Sequence, residues 1–375
     1  MTDTIRLDLV SDPVDLTAAL VDIPSVSHDE ERIADAVEAA LRTVPGVEVH
    51  RIRNNVVART NRGLGRRVIL AGHLDTVPPS GNEGARRAPG ADGTPAIHGL
   101  GSVDMKQGDA VYLNAFATLA DDPALTRDMT LVMYECEEVA ARFSGLAHLI
   151  DEHRELLDGD AGLLGEPSGG MIEAGCQGTL RIRVGARGVR AHSARAWLGD
   201  NAIHKLSPVL ARVAAYEAAT VDVDGLEYRE GLQVTRIEGG EAANTVPDEA
   251  WAFVNFRFAP SRTTEEAKAH MEHVLGLDVG EEALAEAGLW FEYDDVSDAG
   301  NPGLADPAVA ELVEATGGRV RPKYGWTDVA RLSAMGIPAV NFGPGDPSLC
   351  HKPEEHCPEA SIRDVSETLK RYLTS

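Results

Sequence analysis

Short apolar runs alternate with amphipathic stretches through the first half of the chain, and that alternation predicts strands interleaved with helices. Residues 55–59, 68–72, 129–134 and 161–165 are runs of strand length, whereas 30–41 and 105–119 repeat apolar side chains at helical spacing. Strands in alternation with helices imply a largely parallel sheet covered by helices. The pattern resumes after about residue 295, with helices predicted at 307–315, 328–335 and 362–373 and an apolar strand at 338–342.

The middle of the chain reads differently. Leu180, Ile182 and Val184 alternate with polar neighbours, as in a strand with one buried face. Asp200 is placed to cap a helix running to about Ala219, with Pro208 the one local objection. Strands at 231–239 and 250–258, a helix at 264–275 and a strand at 289–293 complete the order strand, helix, strand, strand, helix, strand. This is the split ferredoxin-like unit. The predicted fold class is therefore α/β, a mainly parallel sheet built from residues 1–177 and 295–375, with an inserted α+β ferredoxin-like domain at 178–294. Residues 79–93 read as a polar Gly/Pro-rich loop.

At 375 residues the chain exceeds one comfortable hydrophobic core, which agrees with two domains. Sixty acidic against 35 basic residues give a formal charge of -25, which repels phosphate backbones and anionic bilayers alike. Neither nucleic acid nor a membrane is an expected partner. No apolar run reaches bilayer-spanning length and no basic-led apolar segment opens the chain, so the expected location is the cytoplasm. Cys136, Cys176, Cys350 and Cys357 form no Cys-x-x-Cys pair and are expected as reduced thiols.

Metal-competent side chains stand where the predicted strands end. The strand at 68–72 runs into His73-Leu74-Asp75, and the one at 129–134 into Glu135-Cys136-Glu137-Glu138. Asp104 opens a helix, Glu166 follows a third strand, and His351 follows the loop after the fourth. Ligands in open parallel sheets bind beyond the carboxyl ends of strands. Each group alone has a duller reading: a stray loop histidine, a solvated acidic turn, a helix cap. Together they offer the N and O donors of a two-metal hydrolase, in which a carboxylate between two ions holds them close. His73 could bind through one nitrogen while Asp75 accepts a hydrogen bond from the other. No His-Glu-x-x-His helix, phosphate loop or Gly-x-Ser-x-Gly turn competes with this reading.

His73-Leu74-Asp75-Thr76-Val77-Pro78, Gly101-Ser102-Val103-Asp104-Met105-Lys106, Glu137-Glu138, Gly165-Glu166-Pro167 and His351-Lys352-Pro353-Glu354-Glu355, in this order, resemble the aminoacylase and carboxypeptidase group of dinuclear zinc hydrolases. The resemblance covers essentially the whole chain. Ser102 and Gln107 near Asp104, and Glu135-Cys136 before the acidic pair, depart from the group's usual pattern without removing a ligand. It implies two zinc ions per chain, replaceable by cobalt, with Asp104 bridging. His73 and Glu166 would complete one shell, Glu138 and His351 the other. Glu137 would be the general acid/base, Asp75 would belong to the catalytic set, and a cis peptide would join Asp104 to Met105. The inserted domain would act as a lid, pair with its twin in a homodimer and supply His192 to the oxyanion, while Arg257, Asn244 and Thr327 would hold substrate carboxylates.

The segments 173–178, 190–201 and 323–328 narrow the implied substrate to an N-acyl diamino acid, N-succinyl-LL-2,6-diaminopimelate, hydrolysed at its amide. Acetylornithine, another N-acyl amino acid or a dipeptide are the alternatives within the group. From another class, a non-catalytic binding protein could use the same scaffold.

Overall fold

The strand Arg67–His73 is central to one unit of the computed structural model because Val68, Ile69, Leu70 and Ala71 are all buried, leaving no polar face. It pairs in parallel with Asp128–Tyr134 on one side and Ala161–Leu164 on the other, and the latter pairs in parallel with Ala339–Asn341. Asn55–Thr60 and Val47–Ile52 extend one edge antiparallel, through the tight turn between Ile52 and Asn55. Ile172–Ala174 and Val320–Pro322 extend the other, the former antiparallel to Ala339–Asn341. The sheet is thus parallel at its centre and antiparallel towards its edges, where hairpin returns replace helical crossovers.

The structure describes residues 5–90 and 92–375, which divide into two units. The first comprises residues up to Ala174, Gly303–Arg321 and Arg331–Ser375; the second comprises Gly175–Pro302 and Pro322–Ala330. Among the described residues no helix is long and apolar enough to cross a membrane.

In the first unit the helix Lys106–Leu119 is buried on nearly all sides, so tertiary packing rather than amphipathicity sustains it. Its start presses so closely on the end of Ala161–Leu164 that a Cβ at Gly108 would meet the Gly165 carbonyl oxygen at 2.0 Å. Glycine is required there, one residue before Glu166.

In the second unit the antiparallel sheet runs Gly231–Gly239, Glu249–Phe258, Gly178–Arg187, Leu289–Ser297. By chain order that is second, third, first, fourth, the ferredoxin-like arrangement. Leu180, Ile182, Val254 and Phe256 form its core with Leu206 and Val209 of the helix Ala202–Ala214 and Met271 of Thr264–Leu275.

Several local expectations change. Asn201, not Asp200, caps the helix, accepting from the amides of Ile203 and His204 at 2.9 and 3.2 Å. Asp200 pairs with Lys205 instead. Pro208 is tolerated because Ser207 Oγ donates to the His204 carbonyl, at 2.7 Å, that a residue-208 amide would have satisfied. The helix stops at Ala214, and Thr220–Val223 and Leu226–Arg229 form a hairpin around Asp224 and Gly225, both at positive φ. The supposed loop at 79–93 contains the strand Arg86–Pro89, paired with Pro95–His98, while Ala91 lies outside the described residues. The second unit is also longer than the pattern suggests: Leu289–Ser297 continues past Tyr293, and Cys176 and Gly300 exchange backbone bonds of 3.0 and 3.1 Å.

Candidate active site

His73 terminates the central strand and is 1% exposed. Its Nδ1 donates to the backbone carbonyl of Asp75 at 3.0 Å, which leaves Nε2 directed at Asp104 Oδ1, 3.2 Å away, with Glu166 Oε1 at 4.0 Å. The ring is therefore oriented by the Asp75 carbonyl, and the Asp75 carboxylate, 3.4 Å from Nδ1, has a further task. Its Oδ1 accepts from the Glu137 amide at 2.9 Å and its Oδ2 from the Glu138 amide at 3.1 Å and Ser27 Oγ at 2.7 Å.

That arrangement depends on a left-handed turn. Cys136 has φ +58°, an uncommon conformation for a residue with a Cβ. Its own amide meets Glu30 Oε1 at 3.2 Å, and the next two amides meet Asp75. Glu135 is engaged elsewhere: it is buried and accepts from the Asn54 amide and Asn55 Nδ2, each at 3.3 Å. The clustered carboxylates of the sequence thus divide into one structural group and the pair Glu137 and Glu138.

Asp104 lies between the two histidines. While Oδ1 faces His73, Oδ2 lies 3.4 Å from His351 Nε2, and the same nitrogen is 2.9 Å from Glu138 Oε1. Ligand atoms of His73, Asp104 and Glu138 all fall within 4.8 Å of one another. Asp104 does not cap the following helix; Met105 holds that position without a side-chain bond, and the peptide between them is cis, as the resemblance implies. His351 sits at φ +62° with its ring half exposed.

The electrostatics are those of a cation site. Burial opposes charge on His73, but its hydrogen bonds with Asp104 and Asp75 outweigh it and hold the imidazole well above its usual range. Hydrogen bonds with Asp104 and Glu138 raise His351 to about 10. Burial pushes the Asp104 carboxyl up, yet the two imidazoles hold it far below the carboxylate range. Protonation of the two imidazoles would supply the positive charge that the converging carboxylates favour. A divalent ion would do the same, and a set of imidazole and carboxylate donors suits zinc or a similar borderline metal.

Some supporting residues left little trace in the sequence. Glu30 and Ser27 hold the Glu137–Glu138 loop, directly or through Asp75, from a segment about a hundred residues earlier. Asp109 is fully buried, neither of its carboxyl oxygens has a hydrogen bond to another described residue, and burial drives its pKa well up. Its position in an apolar helix carried no motif. Glu355 ends the stretch His351-Lys352-Pro353-Glu354-Glu355, where nothing in the spacing distinguishes it from Glu354.

His192, Asn244, Arg257 and Thr327 belong to the second unit. His192 is exposed and pairs with Thr245 in a two-residue bridge. Its Nδ1 accepts from the Ala194 amide at 3.0 Å, which fixes the tautomer that carries hydrogen on Nε2. Asn244 is exposed, and its carbonyl accepts from the Ser193 amide at 2.8 Å. Arg257 is half-buried in the strand Glu249–Phe258, its guanidinium makes no hydrogen bond or ion pair to another described residue, and desolvation lowers its pKa although Asp295 opposes that shift. Thr327 is buried with Oγ1 unpartnered.

A mixed sheet whose strand ends bring two histidines and three carboxylates together defines a metallohydrolase type of architecture, and the chain belongs to peptidase family M20/M25/M40, whose model matches residues 69–375. It is 55% identical over 371 residues to a succinyl-diaminopimelate desuccinylase of Corynebacterium glutamicum, covering 98% of each chain. It is 52% identical over 369 residues to a putative succinyl-diaminopimelate desuccinylase of Mycobacterium tuberculosis, covering 98% and 99%. Among solved structures it resembles the aminopeptidase PepT of Bacillus cereus, with TM-score 0.75, 20% identity and 98% coverage of each chain. A metallo-carboxypeptidase of Sulfolobus solfataricus gives TM-score 0.74 at 18% identity, covering 97% and 99%. These two structural likenesses establish the fold.

Proposed function

We propose that the protein hydrolyses N-succinyl-LL-2,6-diaminopimelate to succinate and LL-2,6-diaminopimelate, a step of lysine and diaminopimelate biosynthesis. The observation that carries the metal-dependent part is the division of Asp104, one oxygen facing His73 Nε2 and the other His351 Nε2, with Glu166 beside the first imidazole and Glu138 beside the second. One carboxylate shared by two such sets is what a dinuclear centre requires. The substrate assignment rests on the similarity to the two relatives.

His73, Glu166 and Asp104 would hold one zinc ion, and Asp104, Glu138 and His351 the second, with cobalt able to substitute. When bound, the ions would act as Lewis acids towards the amide carbonyl and lower the pKa of water. Glu137 would take the proton of the attacking water and return it to the leaving amine. Asp75, through the amides of residues 137 and 138, keeps that carboxylate and its liganding neighbour in register. The Nε2–H of His192 would donate to the oxyanion. Arg257, Thr327 and Asn244 would receive carboxylates of the substrate.

A homodimer formed through the second unit is part of this reading. Gly231–Gly239 is an edge strand of that unit's sheet, and Val189, Trp197, Leu198, Ile203 and Ile237 are exposed apolar residues within the unit, Trp197 at 79%. Such exposure suits burial against a second copy. The cytoplasm is the setting for this biosynthetic step.

The test is a substrate panel on zinc-loaded protein: N-succinyl-LL-2,6-diaminopimelate, N-acetylornithine, other N-acyl amino acids and dipeptides. The succinyl substrate should be turned over with the highest kcat/KM, and a clear preference for any other member would overturn the assignment.

A further inference from the structure

We propose that Glu355 is a positioning residue that sets the place of Asp104 relative to His351, an inference resting on the metal-site reading above. Glu355 is 2% exposed, and its Oε1 accepts from two successive amides, Val103 at 2.8 Å and Asp104 at 3.1 Å. Those amides lie ahead of the helix Lys106–Leu119 and have no strand partner. The Val103 carbonyl is held from the opposite side by Gln107 Nε2, which also donates to the Pro344 carbonyl at 3.1 Å. Both polar groups of the Val103 backbone are thereby fixed immediately before Asp104.

The other end of the clamp explains why this residue matters. Glu355 follows His351 by four positions, its amide donates to the Lys352 carbonyl at 3.1 Å, and its carbonyl accepts from the Gly99 amide at 3.3 Å. The loop carrying His351 is therefore bonded at two points of the segment that leads into Asp104, at Gly99 and at residues 103–104. His351 has left-handed φ and a half-exposed ring whose Nε2 meets only Glu138 and Asp104 among the described residues, so the path of its loop decides where that nitrogen lies. The hydrogen bonds of the Glu355 carboxylate go to backbone amides, so its effect passes through the Asp104 backbone. Outer partners that orient ligands commonly contribute about 10–100-fold in metal affinity.

Cobalt(II) binding tests this directly. Metal-depleted wild-type protein and Glu355→Ala, Glu355→Asp and Glu355→Gln variants are titrated with cobalt against a chromophoric chelator, with the visible d–d spectrum and thermal unfolding recorded alongside. Glutamine keeps an oxygen at the same reach, so Glu355→Gln should bind within a fewfold of wild type and give its spectrum. Aspartate keeps the charge but is one methylene short, so Glu355→Asp should weaken binding by about 10–100-fold, as should Glu355→Ala if it folds. Wild-type affinity and spectrum in Glu355→Asp would overturn the proposal, as would equal losses in the Gln and Asp variants. Failure of the wild-type protein to bind cobalt would instead overturn the metal-site reading.

Discussion

Replacing Asp75 with alanine removes the acceptor for three donors at a fully buried position: the amides of Glu137 and Glu138 and the hydroxyl of Ser27. An unsatisfied buried donor costs about 1–3 kcal/mol, so three of them set a ceiling well above the loss of one ordinary bond. Water entering the vacated space would re-satisfy part of the set, giving an expected loss of about 3–5 kcal/mol. Asn in place of Asp keeps one acceptor but turns an NH2 group towards an amide N–H, for an expected loss of about 2–3 kcal/mol. Ser27→Ala removes one bond at the rim of the cluster and should lose only about 1 kcal/mol. Urea unfolding of chelator-treated protein measures all three without any contribution from bound metal. The predicted order of loss is Ala, then Asn, then Ser27→Ala, and in metal-loaded protein the two Asp75 variants should also lose turnover through the displaced Glu137. A loss below about 1 kcal/mol for Asp75→Ala would refute the reasoning, because it would mean that the amides of 137 and 138 find other acceptors.

Asp128 gives a pH-dependent test away from the site. Burial pushes its carboxyl up, but Thr60 Oγ1 and the amides of Arg62, Gly63 and Leu64, at 2.8–3.0 Å, with Arg67 nearby, hold it below the ordinary aspartate range. A depressed native pKa contributes stability above the unfolded value and loses it as pH falls through the folded one. The destabilisation by Asp128→Ala, about 2–3 kcal/mol at neutral pH, should therefore shrink below about pH 4, and a constant difference down to pH 2 would contradict this. Trp197→Glu should convert a dimer to monomer by sedimentation, and unchanged association would place the interface elsewhere. His192→Ala mixed with Glu137→Gln should recover activity if His192 serves a partner's site; exchanged dimers that stay inactive would exclude that role.

The strand ends were legible because their chemistry is periodic. The apolar runs before His73, Glu135 and Glu166 and at Ala339–Asn341 become the parallel centre of the sheet, with ends within one or two residues of the pattern. The ferredoxin-like order was readable for the same reason: Leu180, Ile182 and Val184 mark one face at period two. What escaped depends on local bonds or distant partners. The cap moved from Asp200 to Asn201 because either side chain suits the position and only the chain path selects one. The hairpin at Thr220–Arg229 buries only Tyr228 fully and so has no periodic apolar signature. Arg86–Pro89 exists by pairing to Pro95–His98, not by its own pattern. Asp75 was singled out for its contact with His73, but its larger engagement, with two amides some sixty residues on, has no linear signal. Glu30 and Glu355 act on backbone amides in the same way, and such bonds place no demand on the sequence of the segment they hold.

The proposed division of the acidic pair, Glu137 working on protons and Glu138 holding metal, is tested most directly by the zinc content and turnover of Glu137→Gln and Glu138→Gln purified side by side. Glu137→Gln should retain two zinc equivalents per chain while turnover of N-succinyl-LL-2,6-diaminopimelate falls by about 10²–10⁴-fold or more. Glu138→Gln should lose about one zinc equivalent, since its carboxylate pairs with His351 at one of the two sets around Asp104. Loss of zinc from Glu137→Gln with full occupancy in Glu138→Gln would exchange the two roles, and wild-type turnover in Glu137→Gln would contradict the account.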